Sequence, residues 1–156
     1  MYSKPKIVFV PFESNDCPTK GIAVDCSVVG GNPGLCEIRG VDIRSGEIVF
    51  DETLGIATNN IAEYVAIAYG VEYLKSNHIY GVPIWSDSKI CINWVERNFG
   101  CKTNFFTHYP DKAKLNIPLT QIIIDAEEMI EQSKFTLLFW NKWKFGKEIP
   151  ADYGRK

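Results

Sequence analysis

The sequence predicts an α/β domain built on a mixed five-stranded sheet with helices packed against it. A chain of 156 residues, 46% apolar and 23% charged, is long enough to bury one hydrophobic core. Its first half consists of short apolar or alternating runs separated by turns, which is typical of strands. In its second half apolar residues recur at spacings of three and four, which is typical of helices.

The first half predicts an antiparallel meander of three strands, over 21–29, 35–44 and 47–56. The links between them are short, with a Gly-rich turn over 30–34 and a Ser-Gly turn at 45–46, and links of this length join antiparallel neighbours. An earlier apolar run over 7–10 could add an edge strand. We therefore treat residues 1–19 as an N-terminal extension and residues 20–156 as the domain.

The second half predicts helices alternating with parallel strands. One apolar face of a helix over 61–75 is formed by Tyr64, Ile67, Val71 and Leu74. The elements that follow are a strand over 82–86, a helix over 89–99, an irregular segment over 100–116, a helix over 118–132, a strand over 135–140 and a tail expected to form only a loop and a turn. A short strand between two helices continues the sheet in parallel.

The charge is small but unevenly distributed. The net charge of −2 and the isoelectric point of about 5.7 argue against a partner held by bulk positive charge, such as nucleic acid or an anionic membrane. Residues 1–133 nevertheless carry −6, and residues 134–156 carry +4. A basic end of this kind either orients a polyanion or is a solvated C-terminus, and charge alone leaves both interpretations open.

The cysteines and the apolar runs indicate a cytoplasmic protein without a membrane partner. The five cysteines are an odd number and contain no Cys-x-x-Cys pair, which excludes a fully paired disulfide framework and typical zinc spacing. The first residues lack the apolar region of a signal peptide, and no run is long enough to span a bilayer. Nothing in the sequence indicates an oligomeric state.

Carboxylates at the ends of predicted elements are the unusual chemical feature. Asp25 interrupts an apolar strand, Glu63 lies at the start of a helix, and Asp87 follows the strand over 82–86. Each has an ordinary explanation: a solvent-facing strand position for Asp25, a capping box of Asn60 and Glu63, and a favourable charge at a helix start for Asp87. Asp152 is an isolated acid in the basic tail.

Together these carboxylates predict a metal site. Ligands of open α/β sheets bind where parallel strands end, and three or four carboxylates converging there would repel one another without a cation between them. Oxygen ligands of this type suit Mg²⁺ or Mn²⁺. Two such ions would activate water and stabilise the leaving oxygen in phosphodiester hydrolysis.

Three short motifs in this order resemble one known family. Residues 25–27 and 31–34 resemble the D-G-S…G-N-P-G opening of type 1 ribonuclease H, residues 58–63 resemble its T-N-N-x-x-E, and residues 86–88 resemble its T-D-S. The motifs cover about residues 20–99, and the remainder matches by element order. The resemblance implies a ribonuclease H-like fold.

The resemblance also implies an activity: a metal-dependent endonuclease that hydrolyses the RNA strand of an RNA/DNA hybrid. The implied catalytic residues and ligands of two Mg²⁺ or Mn²⁺ ions are Asp25, Glu63, Asp87 and Asp152. The implied substrate-binding residues are Asn32, Asn59 and Asn60 in the minor groove, with Thr58 and Ser88 holding a backbone phosphate of the other strand. The implied partner is the hybrid.

Departures from the family pattern keep alternatives open. Cys26 replaces a glycine, no histidine follows His108 in the place of the family's loop histidine, and only Tyr153–Lys156 stand where a helix normally follows Asp152. The tail is therefore expected to support Asp152 poorly. The alternatives are a weak or inactive module that binds nucleic acid or protein, and the same metal chemistry on another substrate. The segment over 100–116 either stacks on nucleotides or covers the core.

Overall fold

The computed structural model describes Lys6–Ile7 and residues 16–154 of the chain. The strands of these residues are β1 Lys6–Ile7, β2 Ile22–Val29, β3 Gly34–Asp42, β4 Ile48–Ala57, β5 Ile84–Ser86 and β6 Thr136–Phe139. The helices are α1 Asn59–Ser76, α2 Lys89–Glu96, α3 Phe105–His108, α4 Pro110–Ala113, α5 Leu119–Glu131 and α6 Lys142–Phe145.

The strands form one mixed sheet in the order β1-β6-β5-β2-β3-β4. The antiparallel meander β2-β3-β4 and the parallel pairing of β5 with β2 and β6 confirm the predicted arrangement. Lys6 and Ile7 pair in parallel with Thr136 and Leu137, which adds a sixth strand at the edge. Residues 8–10 of the predicted apolar run lie outside the described residues, and the division of the chain at residue 20 stays a prediction.

The larger hydrophobic core lies between the sheet and α1, α2 and α5. Alternate residues of β2, such as Ile22 and Val24, point into it, because side chains alternate between the two faces of a strand. The predicted apolar face of α1 is confirmed by four buried residues, Tyr64, Ile67, Val71 and Leu74. Residues 61–68 are all buried, although a helix with a single apolar face would bury only some of them. The additional burial arises because α1 lies between the sheet and α5.

A smaller core covers the opposite face of the sheet. The described residues after β6, 140–154, form the C-terminal segment. Trp85 of β5 packs on this face against two of its aromatic residues, with ring centroids 6.0 Å from Trp140 and 5.9 Å from Phe145. Ile149 and Ala151 complete it, exposed by only 1% and 0%. The expectation that the tail forms only a loop and a turn is therefore wrong. The tail contains the short helix α6, and its apolar residues pack on the sheet.

The segment over 100–116 covers the core. It contains α3 and α4, and the side chain of Phe105 is fully buried. The Asn116 side-chain amide donates to the carbonyls of Leu54 and Ile56 at 2.8 and 2.9 Å, which fixes the segment to β4. Of the two predicted roles for this segment, the packing role is the one these contacts support.

Two further observations concern thiols and membranes. All five cysteines are free thiols, and three of them, Cys26, Cys36 and Cys91, are buried. Among the described helices, none combines the length and apolar character that crossing a bilayer requires.

Candidate metal centre

Three carboxylates meet at the edge of the sheet where β5 ends. Val24 of β2 pairs with Ser86 of β5 in parallel register, so that Asp25 and Asp87, the next residue on each side, follow the same pair. Glu63 approaches from the second turn of α1. All three side chains line one open pocket of about 620 Å³. The parallel pairing of two strands is thus what places two acids from distant parts of the sequence side by side.

The start of α1 differs from the predicted capping box. Thr58, rather than Asn60, caps the helix, because its hydroxyl oxygen accepts a hydrogen bond from the N–H of Ile61 at 3.2 Å. Glu63 lies two residues beyond the position that a capping box with Thr58 requires, and its side chain is only 4% exposed. The capping-box explanation of Asn60 and Glu63 is therefore wrong. The burial of Glu63 needs another explanation.

The electrostatics of Glu63 show that its burial is unfavourable for the charged carboxylate. Burial, followed by the charges of Asp25 and then Asp87, raises the pKa of Glu63 well above its usual value. Its Oε2 atom is buried and has no hydrogen-bond partner, and Asp25 is only 1% exposed. The solvent-facing explanation of Asp25 is therefore also wrong. Two buried carboxylates in contact are costly unless a proton or a cation compensates them.

The donor set fits a divalent cation. One ligand atom each from Asp25, Cys26 and Glu63 lie within 4.8 Å of one another. A hard cation prefers carboxylate oxygens, and it would give the buried Oε2 atom of Glu63 the partner that the protein does not supply. Asp87 adds a third carboxylate on the wall of the same pocket. The cluster is thus compatible with divalent metal binding.

Cys26 stands beside the carboxylates at the position where the resembled family has glycine. Its thiol donates to Oδ1 of Asn59 at 3.1 Å. Burial, and then the charge of Glu63, raises the pKa of the Cys26 thiol, so it stays protonated at neutral pH. The thiol therefore acts as a hydrogen-bond donor that joins the start of α1 to the carboxylate cluster.

Asp152 lies next to this pocket and does not line it. It lines an adjoining pocket of about 260 Å³, which shares Cys26 and Asn59 with the larger one. The structure thus brings Asp25, Glu63 and Asp87 into one pocket and places Asp152 at the neighbouring one.

The tail that carries Asp152 is well supported, contrary to expectation. Ala151 before it is fully buried. After it, the ring of Tyr153 lies 4.0 Å from the guanidinium carbon of Arg39, and its hydroxyl donates to Asp51 at 3.2 Å. The sequence did not indicate this support, because it depends on contacts with β3 and β4, more than a hundred residues earlier.

The predicted substrate-binding residues divide into two groups. Asn59, Asn60 and Ser88 line the pocket of the three carboxylates. Asn32 lines the adjoining pocket, where its side-chain oxygen accepts from the backbone N–H of Asn59 at 3.1 Å. Thr58 lines neither of these two pockets. Its hydroxyl caps α1, and that of Ser88 caps α2 by accepting from Cys91 at 3.2 Å.

Sequence reasoning missed Glu148 and Lys89 as residues of the pocket, and it indicated Lys142 only through the positive charge of residues 134–156. Glu148 adds a fourth carboxylate to the lining and forms an ion pair of 3.3 Å with Lys142, which lines the pocket together with Lys89. Glu148 lies in the tail, where no spacing pattern locates a residue. Its position follows only from the way the tail folds back over the smaller core.

Comparison with known proteins supports the fold. No protein-family model matches the chain. The chain is similar to the solved RNase H1 of the halophilic archaeon Halobacterium salinarum, at 22% identity and a TM-score of 0.52, covering 81% of this chain and 89% of the other. This likeness and the sheet order show that the chain has a ribonuclease H-like fold.

Two further solved structures are similar at lower TM-scores. One is the N-terminal RNase H domain of a Mycobacterium tuberculosis protein, with 19% identity, a TM-score of 0.47, and coverage of 81% of this chain and 91% of that one. The other is a foamy viral protease-reverse transcriptase in complex with dsDNA, with 18% identity, a TM-score of 0.44, and coverage of 77% and 80%.

Proposed function

We propose that this protein is a metal-dependent endonuclease that hydrolyses the RNA strand of RNA/DNA hybrids. The observation that carries the proposal is the convergence of Asp25, Glu63 and Asp87 on one open pocket in a ribonuclease H-like fold. A buried carboxylate oxygen without a partner is costly in a purely structural site and useful in a metal site.

In this proposal the carboxylates bind the metal ions and fix their positions, and they do not react with the substrate themselves. Two Mg²⁺ or Mn²⁺ ions, when bound, activate a water molecule and stabilise the leaving 3′ oxygen. Asp25 and Glu63 would hold such ions from the buried wall of the pocket, and Asp87 from its more exposed side. Asp152 would complete the set from the adjoining pocket, which Cys26 and Asn59 connect to the first.

The surrounding polar groups suit a nucleic-acid strand. The amides of Asn59 and Asn60 stand beside the carboxylates and offer both donors and acceptors to the 2′-hydroxyls that distinguish RNA from DNA. Asn32 holds the backbone N–H of Asn59, so it positions this group from the neighbouring turn. Lys89 and Lys142 outnumber the Glu148 that pairs with Lys142, so the rim keeps a positive charge where phosphates would approach.

The test is a cleavage assay with strand-specific labels. An RNA/DNA hybrid, double-stranded RNA and double-stranded DNA are incubated with the protein in Mg²⁺ and then in Mn²⁺. We expect cleavage of the RNA strand of the hybrid alone, leaving 3′-hydroxyl and 5′-phosphate ends, because water forms the new bond to phosphorus as the bond to the 3′ oxygen breaks.

A matched pair of variants distinguishes the loss of a pocket carboxylate from the loss of a surface carboxylate. We expect Asp87→Asn to abolish cleavage and Asp125→Asn, which changes an exposed carboxylate on α5, to leave it unchanged. Tight hybrid binding without cleavage in either metal would contradict the proposal and favour a binding module. Cleavage of another duplex by the same Asp87-dependent reaction would favour a different substrate.

A further inference from the structure

One tryptophan is displayed to solvent while the other three are buried. Trp143 is 86% exposed, whereas Trp85, Trp94 and Trp140 are exposed by 4%, 8% and 1%. A single exposed apolar side chain is unremarkable in itself. Its surroundings are what indicate a role.

Trp143 is held in its exposed position by its own helix. The side-chain oxygen of Asn141 caps α6 by accepting from the backbone N–H groups of Trp143 and Lys144, at 3.1 and 3.2 Å. Phe145, two residues on, is buried with its ring centroid 4.9 Å from that of Trp140. Because Phe145 anchors the helix in the smaller core, the neighbouring indole is directed outward.

The indole lines the same pocket as the three carboxylates. It shares the rim with Lys89 and Lys142, and the ammonium of Lys142 lies 5.2 Å from the centre of the indole ring. A nucleotide combines a phosphate with a flat, largely apolar base and sugar. A cationic rim with an exposed aromatic face offers a contact to each of these parts.

We infer that Trp143 stacks against the nucleotide next to the phosphodiester at the carboxylate cluster, and thereby positions the strand that is cleaved. This inference rests on the proposed function, since the nucleotide is that of the hybrid's RNA strand. Trp143 acts on substrate binding and takes no part in the bond-breaking step.

Steady-state kinetics on the hybrid test the inference first. We expect Trp143→Ala to raise KM roughly tenfold and leave kcat within about twofold, because the loss of one base–aromatic stack weakens binding by that order. Trp143→Phe keeps an aromatic face and should restore most of the affinity. Tyr80→Ala is the matched control, since Tyr80 is 81% exposed and precedes β5, at the opposite end of that strand from Asp87. An unchanged KM in Trp143→Ala overturns the inference.

Intrinsic fluorescence tests the contact without catalysis. Trp143 is the solvent-exposed fluorophore among the four tryptophans, so hybrid bound to the Asp87→Asn variant should quench the red-edge emission and protect it from iodide. The double variant Asp87→Asn/Trp143→Phe should lose this change while fluorescence anisotropy of a labelled hybrid still reports binding. Quenching that persists in the double variant, or an absence of hybrid binding, overturns the inference. A wild-type protein that binds with quenching and never cleaves contradicts the proposed activity alone.

Discussion

The two faces of the sheet are covered in different ways, and the candidate site lies where the coverings meet. Among the described residues, one face of the sheet and the helices that pack on it, chiefly α1 and α5, build a core of 28 buried residues, whereas on the other face the C-terminal segment contributes half of a core of eight. Glu63 belongs to the first covering. Asp152, Glu148 and Trp143 belong to the second. From this difference we expect the positions of the buried carboxylates to depend on the main core, and those of Asp152, Glu148 and Trp143 to depend on a smaller unit that unfolds locally at lower cost.

The largest expected difference between the two coverings is the effect of their carboxylates on the rate of hybrid cleavage. We expect Asp25→Asn to lower the hybrid cleavage rate by more than about 100-fold, because direct ligands contribute more than outer partners, whose loss costs roughly 10- to 100-fold. Asp152 is a ligand in the same proposal, but Asp152→Asn should lower the rate less, since Asp152 would hold an ion only from the adjoining pocket, whereas Asp25 lies on the wall of the first pocket. Single-turnover rates in Mg²⁺ measure both, with circular dichroism as the control for folding. Equal losses would contradict the distinction between the two coverings.

A matched pair of isoleucines compares the two cores in stability. Ile67 and Ile149 are exposed by 0% and 1%. We expect Ile67→Ala to lower the free energy of unfolding of the whole domain by about 2–5 kcal/mol. Ile149→Ala should lower the global value less and should mainly speed hydrogen exchange of tail amides.

Urea unfolding and exchange measured by mass spectrometry separate these outcomes. Equal decreases in global stability, without faster exchange in the tail, would show that the two cores unfold as one unit.

The raised pKa of Glu63 predicts a pH-dependent stability of the metal-free protein. Below the usual pKa of 4.5 the carboxyl is protonated in both the folded and the unfolded chain, and the full stability is present. As the pH rises, Glu63 ionises first in the unfolded chain, so the stability of the folded protein falls until the pH passes the raised pKa of Glu63 in the folded state. Glu63→Gln removes this loss and should raise the Tm at pH 7 by a few degrees, with no gain below pH 4.5.

Thermal unfolding across pH checks this, with Glu128→Gln on the exposed surface of α5 as the control. Mg²⁺ should raise the Tm of the wild-type protein more than that of Glu63→Gln. A Glu63→Gln variant less stable than wild type at pH 7 without metal would contradict the electrostatic cost assigned to Glu63.

The smallest expected effect concerns the attachment of the tail. Tyr153→Phe removes the hydrogen bond to Asp51 and keeps the ring beside Arg39. We expect a loss of about 0.5–1.5 kcal/mol at most, and a decrease of the cleavage rate within roughly threefold. Cleavage kinetics and urea unfolding measure both quantities. A loss as large as that of Asp152→Asn would show that the hydroxyl itself holds the site together.

Local signals predicted the parts of the fold that local interactions determine. The meander was predicted from its two short turns, over 30–34 and at 45–46. Helix α1 was predicted from the spacing of its apolar residues Tyr64, Ile67, Val71 and Leu74. The short motifs around Asp25, Glu63 and Asp87 singled out three acids that the structure places in one pocket. Their roles as metal ligands stay a prediction.

The parts that sequence reasoning missed depend on contacts between distant residues. The tail follows no spacing pattern because its fold depends on Phe145 meeting Trp85, sixty residues earlier. The position of Glu148 in the pocket follows from the same contact. Sequence reasoning places the cap of α1 at Asn60 because both Asn and Thr suit a helix start. The extended backbone of Thr58 and the hydrogen bond that its hydroxyl oxygen accepts from Ile61 identify Thr58 as the cap.

The metal site is tested most directly by soaking a crystal of the wild-type protein in Mn²⁺ and measuring anomalous difference density at the manganese absorption edge. We predict a peak between the carboxylates of Asp25, Glu63 and Asp87, within coordination distance of oxygens from all three. A well-ordered site without such a peak in a protein that cleaves hybrids, or a peak elsewhere, would show that these three carboxylates do not hold the catalytic ion.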